Sequence, residues 1–184
     1  LQRQSPRDFL LQHTLMVKTG DRISLEKLRA QLENSGYRHV DQVFGPGEYA
    51  SRGSILDLFP MGSDDPYRID FFDDEIDTIR TFDPENQRSI DDIQQIQLLP
   101  AHEFPTTKEA IEDFRTRWRT QFEARREPES IYMQVTKGTW PAGIEYWQPL
   151  FFDHTETLFE YLPEDSQVIT YGDIESAVDT FLTD

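Results

Sequence analysis

Carboxylate side chains crowd one short stretch of the chain, and carboxylates are the ligands that hard cations prefer. The stretch contains Asp70, Asp73, Asp74, Glu75 and Asp77. A calcium loop of the EF-hand type needs ligands at alternating positions around a central glycine, and this run has neither. Acidic residues are also common in hairpin turns, where they are solvated. The sequence therefore favours a solvated turn over a metal site.

Other common catalytic sets are also missing from the sequence. The four histidines form no pair at i, i+3 or i+4, and there is no cysteine, so no zinc site is predicted. Gly45-Pro46-Gly47 lacks the Lys-Ser/Thr and the following helix of a phosphate loop. We therefore expect no catalytic residue, no cofactor and no metal in this chain.

A binding signal is present in the segment YRIDFF, residues 67–72. Period-two alternation places Arg68 and Phe72 on the polar face of this strand, opposite its apolar residues. An arginine beside an uncovered aromatic ring is typical of a protein-binding hot spot. In the alternative interpretation, Phe72 caps the end of a hairpin under a neighbouring loop, because alternation says nothing about what covers a face.

The elements that position these residues are a helix and a series of short strands. Ser24 is the predicted N-cap of the helix, and Gly36 ends it. Breaks rich in Gly, Pro and Asp separate the strands. The pattern predicts a helix packed on an antiparallel sheet of about five strands. The predicted strands are residues 15–18, 39–44, 48–52, 54–59, 67–72, 76–82 and 90–98.

The pattern changes after Leu99-Pro100. Thr106 and Glu109 predict a capping box that opens a helix with an aromatic face. Residues 167–171 resemble a buried strand, and Asp173 is the predicted cap of a last short helix. One strand cannot form a sheet, so this half indicates an incomplete α/β layer. The segment before residue 14 shows no clear element.

Charge restricts the possible partners. The net charge of -17 repels phosphate backbones, so the chain alone is a poor candidate for binding DNA or RNA. The arginines between residues 115 and 126 are expected on a solvated helix surface. The absence of cysteine fits a reducing compartment, and no stretch reaches the length of a membrane span. We expect a cytoplasmic protein.

Several long strings resemble a known family. They are RGSILDLFP (52–60), YRIDFFDDEIDTIRTFDPENQRS (67–89), LLPAHEFPT (98–106) and GTWPAGIEYWQPLFF (138–152). They are similar to the N-terminal region of bacterial transcription-repair coupling factors and, more distantly, to the second domain of the excision-repair protein UvrB. The resemblance implies a fragment of a larger protein. Residues 1–13 would end one segment of domain 1, residues 14–99 would form a UvrB-like domain 2, and residues 100–184 would belong to the second segment of domain 1.

The resemblance also implies a function. Coupling factors displace stalled RNA polymerase and recruit UvrA, and their UvrB-like module supplies the UvrA-binding surface. The positions here that match the surface are Arg52, Arg68 and Phe72. In the family the C-terminal domain masks this surface, so that domain is an expected intramolecular partner. RNA polymerase and DNA are expected to contact other domains only.

The second half resembles a degenerate RecA-like domain. UvrB-like ATPases carry an Asp-Glu pair at the end of the strand before the last helix, where this chain has Ile169-Thr170-Tyr171-Gly172-Asp173. Such a pair holds Mg²⁺ and orients water. The resemblance therefore implies a non-catalytic interaction module. Two alternatives stay open: half of an ATP-dependent DNA helicase core, and an intramolecular docking module that restrains the motor.

Overall fold

The computed structural model describes residues 3–123 and 127–183. The strands are β1 (Leu15–Lys18), β2 (Arg38–His39), β3 (Glu48–Arg52), β4 (Ile55–Phe59), β5 (Tyr67–Phe72), β6 (Glu75–Phe82), β7 (Ser89–Ile93) and β8 (Gln95–Leu98). The helices are α1 (Arg7–His13), α2 (Leu25–Asn34), α3 (Lys108–Gln121), α4 (Ile131–Thr136), α5 (Leu158–Tyr161) and α6 (Ile174–Thr183), and a 3₁₀ helix covers Ile144–Phe151.

Six strands form the main sheet, in the order β2-β3-β4-β5-β6-β7. Neighbouring strands are antiparallel except β2, which runs parallel to β3. β1 and β8 pair as a separate antiparallel ribbon. The two edges of the sheet are the two-residue strand β2 and the mostly exposed strand β7. The predicted α/β (α+β) class, with a helix packed on an antiparallel sheet, is confirmed.

The main core lies between the inner face of this sheet, α2 and the ribbon. α2 contributes Leu28 and Leu32, and the sheet contributes Leu56 and Ile69, all fully buried. Burying such a side chain stabilises the fold by about 1.5–3 kcal/mol relative to leaving it exposed. This core holds the sheet rigidly enough to position side chains on its other face, which we call the outer face.

The start and end of α2 confirm the sequence prediction. The Ser24 hydroxyl accepts a hydrogen bond from the Lys27 N–H at 3.3 Å. Ile23, just before the cap, and Leu28 pack in the same core, as a hydrophobic staple requires. Gly36 follows the helix with φ of +84°, in the left-handed region that glycine adopts without a steric penalty.

An aromatic cluster holds the second half together. Phe114 of α3 lies 4.8 Å, between ring centroids, from Phe151 of the 3₁₀ helix. Trp118, one turn further along α3, lies 4.5 Å from Trp147. The predicted aromatic face of this helix is confirmed at both positions.

The cap of α3 lies one residue later than predicted. The Thr107 hydroxyl, not that of Thr106, accepts a hydrogen bond from the Ala110 N–H at 3.3 Å. Adjacent threonines both satisfy the capping preference, so sequence alone cannot choose between them.

Two predicted strands are divided or shortened in the structure. The prediction for residues 39–44 was wrong beyond His39, because the Glu48 carboxylate accepts hydrogen bonds from the Phe44 and Gly45 amides and holds this segment as a loop. The predicted strand 90–98 breaks at Gln94. Its first part is the last strand of the main sheet, and its second part pairs with β1 in the ribbon. The main sheet has six strands, where about five were predicted.

The chain ends also differ from the prediction. The segment before residue 14, expected to lack structure, contains α1, whose Phe9 ring lies 5.3 Å from that of Phe152. The buried strand predicted at residues 167–171 is absent: these residues are exposed and unpaired with any described strand. An apolar run without a neighbouring strand has nothing to bury it. Asp173 does cap α6, through its Oδ1 atom and the Ser176 N–H at 3.0 Å.

Candidate protein-binding site

The outer face of the sheet brings the predicted site residues together. Arg68 and Phe72 lie on this face of β5, and Arg52 lies on it at the end of β3, two strands away. Cross-strand register connects them: Arg52 is opposite Ile55, which is opposite Asp70. Because neighbouring strands are about 4.8 Å apart, Arg52 and β5 are separated by roughly 10 Å.

Arg68 makes the strongest polar contacts on this face. Its Nε and Nη2 atoms donate to the two carboxylate oxygens of Asp57 at 2.7 and 2.8 Å. Its Nη1 atom donates to the Gln87 carbonyl at 3.1 Å, and its guanidinium carbon lies 4.9 Å from the centre of the Phe82 ring. The hydrogen bond with Asp57 raises the pKa of Arg68 above its ordinary value.

The burial of this pair corrects one expectation. The Arg68 side chain is 14% exposed and that of Asp57 only 2%. Arg68 is therefore not an open fork for a partner's carboxylate, because it is largely buried and each of its three nitrogen atoms already donates to Asp57 or Gln87. Alternation identified its face correctly but could not identify its cross-strand neighbour.

Arg52 shares the same buried carboxylate but stays accessible. Its Nη2 atom lies 3.2 Å from Asp57 Oδ2, and 61% of its side chain is exposed. One carboxylate thus serves two guanidiniums, which leaves a net positive charge at this point of a strongly acidic chain. The remaining donors of Arg52 can bind a carboxylate of a partner.

Phe72 is a large hydrophobic residue that this face leaves exposed. As the last residue of β5 it is 73% exposed. The alternative interpretation, in which a loop covers its ring, is therefore wrong. β6 has one extra residue, Asp77, opposite the Asp70–Phe71 step, and the hairpin then closes with Phe72 opposite Glu75.

Asp57 and Arg80 also belong to this face, and neither was predicted from the sequence. Asp57 stands between Leu56 and Leu58 in an otherwise apolar strand, which is the signal that could have identified it. Arg80 pairs with Asp70 and lies directly opposite Arg68. Arg68 pairs with Asp57 and Arg80 pairs with Asp70, so the repulsion between the two arginines is offset.

Three other features considered in the sequence were a metal site, a membrane span and a cluster of arginines between residues 115 and 126. No group of His, Cys, Asp or Glu that could hold a metal occurs in the described part of the chain. Among the described residues, no helix is both long and apolar enough to cross a membrane. Arg117 is tied to the Leu150 carbonyl at 3.0 Å and to Asp153, and Arg119 donates to the Arg115 carbonyl at 3.1 Å. The predicted surface positions 125 and 126 lie outside the described residues.

The outer face of this sheet thus presents an exposed arginine, Arg52, and an exposed aromatic residue, Phe72. Residues 15–104, which include the whole sheet, match the UvrB interaction domain family.

The whole chain is similar to bacterial transcription-repair-coupling factors. It is 56% identical over its full length to that of Escherichia coli (strain K12) and 54% identical, again over its full length, to that of Haemophilus influenzae. It is 28% identical over 98% of its length to that of Staphylococcus haemolyticus. The chain spans about one sixth of these relatives, 16% of each of the first two and 17% of the third.

Proposed function

We propose that this chain is the UvrA-recruiting module of a transcription-repair coupling factor and acts in transcription-coupled nucleotide excision repair. The UvrB interaction domain match over residues 15–104 supports this assignment. The identity of 56% to the Escherichia coli coupling factor extends this support to the full chain.

The observation that carries the proposal is the pairing of two exposed groups on one rigid face. Phe72 presents an uncovered ring, and Arg52 presents a guanidinium that is only partly used by Asp57. Rings and arginines at the centre of an interface commonly contribute most of its binding energy. A partner that fits would combine an apolar pocket for Phe72 with a carboxylate for Arg52.

In this proposal Arg68 is largely buried and contributes mainly by positioning Asp57 and, through it, Arg52. It holds Asp57 with two hydrogen bonds, and Asp57 in turn holds Arg52. Substitution of Arg68 would therefore weaken UvrA binding largely by releasing this arrangement. A direct ion pair with the partner, which salt would weaken, is then expected from Arg52 and not from Arg68.

The module is proposed to work without catalysis of its own. Residues 14–99 would form the UvrA-binding domain, and residues 1–13 and 100–184 would be parts of a degenerate domain 1. The motor, and the contacts with RNA polymerase and DNA, would belong to other domains of the larger protein. The C-terminal domain of that protein would be the intramolecular partner that masks this surface.

The test is binding to purified UvrA. Arg52→Ala and Phe72→Ala should each lower the affinity by about 30- to 1000-fold, the usual range for hot-spot truncations. Arg38→Ala, at an exposed arginine of β2 that pairs with Glu48, is the control and should bind normally. Thermal unfolding of each variant separates lost contacts from lost fold. Wild-type affinity of Phe72→Ala would refute the proposed site.

A further inference from the structure

A third exposed side chain lies in line with Phe72 on the outer face. Phe72 is directly opposite Glu75 across the β5–β6 hairpin, and Glu75 is directly opposite Arg22 in an antiparallel bridge. Two backbone hydrogen bonds fix this register: Ile76 N–H to the Asp21 carbonyl at 3.0 Å, and Gly20 N–H to the Ile76 carbonyl at 2.8 Å. Directly opposite residues point to the same face of a sheet, so Arg22 belongs to the outer face.

Arg22 is held in place by its backbone and not by its side chain. The side chain is 86% exposed, and its Nε atom lies 3.7 Å from a Glu75 carboxylate oxygen. The Glu75 side chain is itself 51% exposed. An ion pair this long and this exposed to water contributes little free energy to the fold. Arg22 can therefore exchange Glu75 for another carboxylate with little loss of stability.

Phe72 and Arg22 border one shallow groove. Its other walls are the hairpin turn, Ile23 just before the cap of α2, and Lys27 in the first turn of α2. Arg52 lies two strands from Phe72 on one side, and Arg22 lies beyond β6 on the other. The exposed ring therefore has an accessible guanidinium on each flank.

We propose that Arg22 is a further contact of the partner, binding a carboxylate beside the Phe72 ring in exchange for Glu75. The inference rests on the proposed UvrA-binding function and deepens it. It implies that the partner presents two carboxylates, one on each side of an apolar pocket. The chain thus uses separated cations, within an acidic surface, to fix the orientation of its partner.

The groove also carries acids, which define the competing arrangement. Asp73, Asp74 and Glu75 lie on its rim and could instead receive a cation of the partner. In that case Glu75 would be the contact and Arg22 only its neighbour. The two arrangements predict opposite responses to substitution.

The experiment compares six variants of the full chain in titrations with purified UvrA. Arg22→Ala should weaken binding by about three- to tenfold, and the loss should shrink as the salt concentration rises. Glu75→Gln, which frees Arg22, should bind as tightly as wild type or more tightly. The matched control is Arg38→Ala: Arg38 is also exposed and paired with one glutamate, but it lies on the edge strand β2, beside Glu48 at the start of β3. It should bind as wild type does.

The fourth variant, Arg52→Ala, separates the two proposals. If Arg52→Ala weakens binding and Arg22→Ala does not, the inference about Arg22 is wrong and the proposed function stands. The inference is equally overturned if Glu75→Gln weakens binding. If Arg52→Ala and Phe72→Ala both bind normally, the proposed function itself fails. Arg22→Glu, with a circular dichroism spectrum to confirm its fold, should give a larger loss than Arg22→Ala.

Discussion

Arg68 and Asp57, directly opposite each other on β5 and β4, form a two-pronged ion pair that is almost inaccessible to water. Removing one partner of a buried pair leaves an uncompensated charge, which typically costs about 3–5 kcal/mol. Arg52 still neutralises part of the Asp57 charge, so we expect Arg68→Ala to lower the free energy of unfolding by about 2–4 kcal/mol.

Urea denaturation checks this prediction, with Arg52→Ala as the control. Arg52 is largely exposed, so its loss should change stability by less than about 1 kcal/mol. Equal denaturation midpoints for the two variants would contradict the structural role of Arg68. Because Arg68→Ala is expected to be less stable, its binding to UvrA must be measured at a temperature where the variant is folded.

The two exposed contacts should respond differently to salt. The loss of affinity in Arg52→Ala should be smaller at high ionic strength, because screening already weakens its pairing with a carboxylate in the wild type. The loss in Phe72→Ala comes from apolar burial and should change little with salt. The affinities of both variants for UvrA, measured at two ionic strengths, test this prediction. If the affinity loss changes with salt equally in both variants, it is wrong that Arg52 acts through its charge and Phe72 through apolar burial.

Glu48 should contribute a pH-dependent part of the stability. Burial raises its pKa, but hydrogen bonds from the Phe44 and Gly45 amides and the charge of Arg38 outweigh burial and lower the pKa below its ordinary value. A carboxyl group with a lowered folded-state pKa stabilises the fold above its unfolded value of about 4.3 and loses this effect as the pH falls through the folded pKa.

Glu48→Gln tests this reasoning. The variant should be less stable than wild type at neutral pH, and the difference should shrink as the pH falls below about 4.3. Urea denaturation over a pH series measures it. A difference that is constant across the series would show that the contact is not electrostatic.

Gly36 should tolerate alanine less well than Gly20. Both have left-handed φ values, +84° and +85°, so both substitutions should cost about 1–2 kcal/mol in backbone strain. A Cβ atom on Gly36 would also lie 2.8 Å from His102 Cδ2, whereas one on Gly20 meets nothing within 4 Å. In thermal unfolding, the melting temperature of Gly36→Ala should therefore be lower than that of Gly20→Ala. Truncating His102 in the Gly36→Ala background should recover part of the difference.

Residues 14–99 should fold without the rest of the chain. The buried members of the main core all lie between Val17 and Leu98, whereas those of the aromatic cluster lie between Phe104 and Phe151. A protein of these residues should show a strand-rich circular dichroism spectrum and a cooperative thermal transition. An unfolded spectrum would place the domain boundary beyond residue 99.

Local signals predicted the local structure well. The Ser24 cap, the left-handed Gly36 and the alternation of β5 each act within a few residues, and each is observed. Alternation within β5 was therefore enough to identify the face that Arg68 and Phe72 share. The resemblance to the family added Arg52, which no periodicity had indicated.

Features that depend on distant partners were not predictable in the same way. The sequence could not show that Asp57 would meet Arg68, because their contact depends on the register of β4 against β5. Residues 167–171 have the composition of a buried strand, but composition does not supply the neighbour that a strand needs. The exposure of Phe72 likewise depends on which loops approach it.

The edges of the main sheet limit how this domain can associate with other proteins. An open strand edge is a template for pairing with another chain, yet β2 offers only two residues and β7 presents the exposed side chains of Asp91 and Asp92. A second strand that docked on β7 would place its side chains beside these two carboxylates, one on each face of the sheet. Association by strand addition is thus disfavoured at both ends. The face that carries Phe72 remains the open route, so recognition by this sheet depends on side chains and can be specific for one partner.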